Sequence, residues 1–185
     1  HGFGIAWVSE RLRNSPHEKL DGGPSDNWEL GTRDTGAYAT MSDVKDYMCW
    51  LGQEVTEATD TRLQIKAAGA AIQDYEKKMT DAMLHGVDNL KGLNDFDKIE
   101  IIGGANNPSR EGLVSFRFKD QPSEVIVRYL NQQGIRTHTR KCDHYSNNIL
   151  APLGWDDCVR VSICHYNTIN EVKKFLSSMA TFEDK

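Results

Sequence analysis

Arg160 stands in the stretch "VRVSICHYNTINEVKKFLSSM", Val159 to Met179, where its neighbours make it a candidate for binding an anion. Val159, Val161 and Ile163 alternate with Arg160, Ser162 and Cys164, the period-two pattern of a half-buried strand. Arg160 therefore projects from the face opposite the apolar one. It is either a solvated surface arginine or a guanidinium held out to meet an anionic group; the alternation alone permits both. A second set of chemically capable side chains is Cys142, His144, Cys158, Cys164 and His165, the residue types that ligate transition metals. Their spacing argues against a metal centre. Cys158 and Cys164 lie roughly 20 Å apart along a continuous strand at about 3.3 Å per residue, and no Cys-x-x-Cys pair is present. No metal is predicted.

The elements around Arg160 fix its position. After the strand the chain turns at Tyr166-Asn167 and enters a helix. Thr168 with Glu171 three residues later is a capping-box pattern, and Val172, Phe175, Leu176 and Met179 form one apolar stripe. Upstream, strands are predicted at Lys98 to Ile102, at Leu113 to Phe118 and at Ile135 to Thr139. The loop from Gly103 to Gly112 and a helix from Pro122 to Gln132, closed by Gly134, separate them. A polar loop from Lys141 to Asn148 leads into the final strand. Two further helices precede this region, from about Ser42 to Leu51 and from about Asp60 to Leu84. The longer one carries Ile65, Ala68, Ile72, Tyr75, Met79 and Met83 on one stripe, with Gly86 as its cap. Asn14 to Tyr38 is rich in Gly, Pro, Asn, Asp and Ser and reads as an irregular arm. The chain opens on "HGFGIAWVS", where Phe3 to Val8 reads as a strand without a partner nearby; the sequence is expected to be part of a longer chain.

The resulting expectation is an α+β fold: a small sheet of about four short strands covered by helices, preceded by an irregular arm and a long helix. Residues 1–59 are read as the end of a larger domain with its connecting arm and helix, and 60–185 as a C-terminal small domain. Composition bounds the function. With 185 residues, 38% hydrophobic and 26% charged, the chain has the balance of a globular protein. A net charge of −5 argues against nucleic acid or an anionic membrane as partner. No apolar run approaches the roughly 20 residues of a membrane span. Four cysteines do not suggest a disulfide framework, so a reducing cytoplasm is expected.

Val159 to Leu176 resembles the C-terminal segment of fold-type I, class V pyridoxal-phosphate enzymes, the group of cysteine desulfurases, selenocysteine lyases and class V aminotransferases. "HGFGIAWVS" looks like the strand after the cofactor lysine of that family. "ELGTRDTGAYATMSDVKDYMCWLG" looks like its Gly-Thr loop and following helix, and "QQGIRTHT" like its short small-domain strand. The resemblance covers residues 1 to about 180. It implies that Arg160 grips the α-carboxylate of an amino-acid substrate. It also implies that Thr32, beside Gly31, reaches the cofactor phosphate of a partner subunit in a homodimer. In desulfurases of this type a nucleophilic cysteine follows the "GI" strand and takes sulfur from the substrate. Cys142, between Lys141 and Asp143 with His144 close by, lies in a comparable loop, about one position out of register. Nearby cations favour a reactive thiolate, and a sulfur-acceptor protein would then be a partner.

The resemblance also locates what this chain does not match. Lys19, Lys66 and Lys98 lie in arm, helix and strand contexts unlike that of the cofactor lysine. By the resemblance that lysine and the aspartate facing the pyridinium nitrogen precede His1. The chain is thus expected to be the C-terminal portion of an enzyme whose intact form uses pyridoxal phosphate. Cysteine desulfuration is the reaction it most resembles; lyase, racemase or aminotransferase chemistry would use the same Arg160 and Thr32. A reading from another class is a non-catalytic α+β dimerisation or docking module. It accounts for the arm and the acidic balance, but not for the outward arginine.

Overall fold

A computed structural model describes residues 5–31 and 34–183. The chain forms two compact units, His1–Ala68 and Gly69–Lys185. In the first, the described residues up to Asp34 form turns and irregular chain. They are organised locally by His17, whose ring stacks on Trp28 at 3.9 Å and 8°. Helix α1 spans Thr35–Gln53. Asp34 caps it by accepting the Ala37 N–H at 3.0 Å, which supplies one of the donors a helix start leaves open. Helix α2, Thr61–His85, follows. Gly52 is buried where α1 meets the first turn of α2, and a Cβ there would run into the Gln64 backbone. Two readings are corrected here. Helix α1 begins seven residues before Ser42, because Asp34 caps a Thr-Gly-Ala-Tyr run that composition had assigned to the arm. The described part of the first predicted strand, Ile5 to Val8, belongs to no strand; all strands among the described residues lie between Ile99 and Ser162.

The second unit is built on a four-stranded sheet. Strands β1 (Ile99–Ile101), β2 (Leu113–Phe118), β3 (His138–Lys141) and β4 (Asp157–Ser162) lie in the order β1-β2-β4-β3. Every neighbouring pair is antiparallel. Strands β2 and β3 both run against β4, so they need a crossover, which α3 (Ser123–Gln132) provides. Helices α4 (Asn147–Leu150) and α5 (Ile169–Glu183) complete the unit.

Alternation along the strands separates two faces of opposite character. Val114, Phe116 and Phe118 of β2, with Val159 and Val161 of β4, are buried on one face. Ile126 and Leu130 of α3 and Val172, Phe175, Leu176 and Met179 of α5 pack there, joined by Met79 and Met83 of α2. Phe116 meets Phe175 edge-on, with ring centroids 6.4 Å apart, a favoured aromatic geometry. The opposite face carries Ser115, Arg117, Arg140, Cys158 and Arg160. A small cluster of Leu150, Trp155 and Cys158 covers one corner of it. The fold is α+β, with one sheet face covered by helices.

Gly134 sets the entry into β3. It ends α3 at a φ of +72°, with Gly134 N–H donating to the Asn131 carbonyl and Ile135 N–H to that of Leu130 at 2.9 Å. A Cβ at this position would meet only the flexible Lys174 Nζ, at 3.4 Å. The cost of Gly134→Ala is therefore the left-handed backbone itself, about 1–2 kcal/mol. Urea denaturation of the chain should show that loss with an unchanged slope. The turn also explains why β3 begins three residues later than the predicted Ile135 to Thr139: ladder pairing begins only at His138, opposite Arg160.

Candidate functional site

Strand register places the polar face's chemistry. Arg160 stands between Ser115 on β2 and His138 on β3, and Arg140 faces Cys158. Residues two apart on a strand share a face, so Arg140, Cys158 and Arg160 point the same way. Together with Arg110, Ser115, Tyr145 and Ser146 they line a cavity of about 490 Å³, whose apolar wall is Ile102, Leu113, Ile149 and Leu150. Three arginines line it and no aspartate or glutamate does.

The arginines are held differently. Arg110 donates to the carbonyls of Ile102 at 2.7 Å, Gly104 at 2.6 Å and Leu113 at 3.2 Å. Burial lowers its pKa from the usual arginine value. Arg160 is half-buried, and its Nε, like that of Arg110, is shielded from solvent without a hydrogen-bond partner among the described residues. A buried donor left open costs free energy that an incoming acceptor would recover. Nothing among the described residues pairs with its charge. Arg160 is thus fixed on a strand and lines the cavity. The period-two pattern had placed Arg160 on the strand's outward face, and that face borders the cavity.

Cys158 lies at the back of the cavity, 2% exposed. Burial pushes its thiol above the usual pKa, assisted by Asp157. The Ser115 hydroxyl, Arg140 and Arg160 pull the other way. Burial dominates, which keeps this thiol protonated and inert. Cys142 is exposed, two residues beyond Arg140, and is not one of the cavity's lining residues. Its N–H donates to the Asp156 carbonyl at 2.8 Å, continuing the ladder by one residue. Gly31 lies in the first unit, exposed, and a Cβ built on it would meet no atom within 4 Å. Its backbone is open to the close approach that a phosphate makes. Thr32 lies outside the described residues. No lysine lines the cavity. Among the described residues no three His, Cys, Asp or Glu side chains converge as a metal site, and no helix is long and apolar enough to cross a membrane.

Arg110 and Arg140 were not singled out from sequence. Arg110 sits in an irregular loop, and only its capture of three carbonyls brings it to the cavity. Arg140 fell in the stretch between the predicted third strand and the polar loop. The alternation Thr137-His138-Thr139-Arg140, read as strand, would have found it.

The Aminotransferase class-V family model matches residues 28–175. The chain belongs to this family. Class V aminotransferases and cysteine desulfurases are pyridoxal-phosphate enzymes. A probable cysteine desulfurase of Borreliella burgdorferi is 30% identical over 105 residues, covering 57% of this chain and 23% of that protein. Another, from Treponema pallidum, is 23% identical over 172 residues, 91% of this chain and 34% of the relative. The chain thus spans no more than about a third of the length of these class V relatives. Among solved structures, a cysteine desulfurase of Thermococcus onnurineus NA1 matches with a TM-score of 0.69 at 19% identity, over 96% of this chain and 42% of that one. The cysteine desulfurase CsdA of Escherichia coli matches at 0.60 and 16% identity, over 89% and 36%. Identities this low speak for the fold alone, and the fold agrees.

Proposed function

We propose that this chain supplies the substrate-carboxylate arginine, Arg160, to a pyridoxal-phosphate enzyme that acts on an amino acid, with cysteine desulfuration as its reaction. The observation that carries the reading is Arg160 itself. It is a strand-fixed, unpaired guanidinium with a buried open donor, beside a cavity free of acidic side chains. Such a group binds a carboxylate bidentately and fixes its orientation. Family membership supports the choice of cofactor, which when bound withdraws electrons from the substrate's α-carbon. The open backbone at Gly31, with Thr32 next to it, would receive the cofactor phosphate, across a homodimer by the family resemblance. Cys142 would accept sulfur, and its exposure suits delivery to an acceptor protein. A second reading, thiol-free lyase or aminotransferase chemistry on the same amino acid, is favoured by one observation: Cys142 is not among the residues lining the cavity.

The test compares two substrates that differ only in the α-carboxylate. In the intact, cofactor-loaded protein, cysteine should exceed cysteamine in kcat/KM by roughly 10- to 100-fold. Hydrogen bonds to charged groups contribute about 1.5–3 kcal/mol, and about 1.4 kcal/mol is tenfold. Spectrally measured dissociation constants should separate in the same direction. Equal constants for the two compounds would remove the carboxylate role.

A further inference from the structure

The polar sheet face holds three strand arginines, and it neutralises only one of them. Arg117 of β2 stands opposite Glu100 of β1 in the ladder. Its Nε and Nη2 reach the same carboxylate oxygen at 2.8 and 2.7 Å, and its guanidinium lies 4.3 Å from the Trp155 ring centre. That is a complete internal pairing, a carboxylate on one side and an aromatic face on the other. Arg140 and Arg160 have no such partner. They stand on neighbouring strands, offset by two residues, and line the same cavity. Of the acids flanking these strands, Asp157 accepts the Ser123 N–H at 3.3 Å, Asp143 accepts the N–H groups of Tyr145 and Ser146, and Asp156 is exposed and not part of the cavity lining. Arg110 adds a third positive charge whose donors are mostly taken by carbonyls.

One α-carboxylate is satisfied by one guanidinium. A second unpaired arginine beside the first, with no acid on the cavity wall, is complementary to a second negative charge. We infer that Arg140 is a specificity residue for a side-chain carboxylate, so that the cavity admits a dicarboxylic amino acid as a second substrate beside cysteine. The inference rests on Arg160 holding the α-carboxylate. A cavity of about 490 Å³ has ample room for a four- or five-carbon dicarboxylic acid. Ile102, Leu113, Ile149 and Leu150 would cover the methylene carbons between the two anionic ends.

The first measurement needs no cofactor. Succinate and butyrate, with the same four carbons and two carboxylates or one, are titrated into the 185-residue chain while arginine side-chain N–H signals are followed by NMR. Succinate should bind at least tenfold tighter than butyrate. Arg140→Gln should erase that difference by weakening succinate more than butyrate, whereas Arg160→Gln should weaken both ligands. Arg140→Lys, which keeps the charge but not the planar fork, should restore part of the preference. In the intact, cofactor-loaded protein, Arg140→Gln should raise KM for aspartate at least tenfold more than it raises KM for alanine. Equal affinity for succinate and butyrate, or a succinate affinity untouched by Arg140→Gln, overturns the assignment of Arg140 while leaving that of Arg160 intact. If Arg160→Gln changes neither ligand, the α-carboxylate reading fails, and the inference falls with it.

Discussion

If Arg160 holds an α-carboxylate as proposed, Arg160→Ala in the intact protein should lower kcat/KM for the amino-acid substrate roughly 10- to 100-fold and remove the preference for a substrate bearing an α-carboxylate. The magnitude follows from the loss of charge-assisted hydrogen bonds worth about 1.5–3 kcal/mol in total. The second half of the statement is the sharper one. If arginine and carboxylate act on each other, deleting both should cost little more than deleting either, as in a double-mutant cycle. Cysteamine should therefore be turned over by the variant nearly as well as by the parent. Stability gives an internal control. Arg160 has no carboxylate partner among the described residues and shares its face with Arg140. Removing it breaks no ion pair among the described residues and relieves a like-charge neighbour, so the melting temperature of the 185-residue chain should hold or rise. A drop in activity accompanied by a large drop in melting temperature would instead mark Arg160 as a structural residue.

The sequence carried the sheet because its burial is one-sided. Val114, Phe116 and Phe118 alternate without interruption, and β2 lies where that pattern put it, Leu113–Phe118. The same period placed Arg160 on the outward face of β4. What lies around Arg160 was less legible, because the cavity wall is assembled from five separate segments of the chain. Arg110 reaches it through carbonyls exposed only after the loop between β1 and β2 has folded. Arg140 depends on register: starting the third strand at Ile135 rather than His138 puts the arginine past its end. The missing pairing at Arg160 and Arg140 was beyond sequence altogether, since it is a statement about where no acid comes near. Glu100, the one acid on the strands' polar face, lies two strands from Arg160 and three from Arg140, and the ladder sets it opposite Arg117. The start of α1 failed for a more local reason. Gly36 and two threonines masked a helix that the Asp34 side chain caps.

Cys142→Ala should abolish sulfide release from cysteine while leaving the cofactor's absorbance and the α-carboxylate preference in place. In the sulfur-transfer reading the Cys142 thiolate attacks the substrate sulfur and the bond from sulfur to Cβ breaks. The electron pair remains on carbon, which takes up a proton, and alanine leaves. The enzyme retains a persulfide on Cys142, and a thiol reductant such as dithiothreitol then discharges it as sulfide. Without that thiol the sulfur has no acceptor and the cycle stops. The substitution is structurally mild. Cys142 is exposed and its backbone is tied to Asp156. Asp143 holds the following turn through the N–H groups of Tyr145 and Ser146, at 3.0 and 3.3 Å, so the loop keeps its form. Sulfide release at the parental rate would sink the nucleophile and assign the reaction to the thiol-free route. The same variant also separates the two substrates of one cavity. A dicarboxylic amino acid held by Arg160 and Arg140 has no sulfur to give, so its turnover should be indifferent to Cys142. Cysteine turnover should depend on Cys142 and be nearly indifferent to Arg140. Opposite sensitivities in the two single variants would show that the arginine pair selects the substrate and the exposed thiol sets the fate of only one of them.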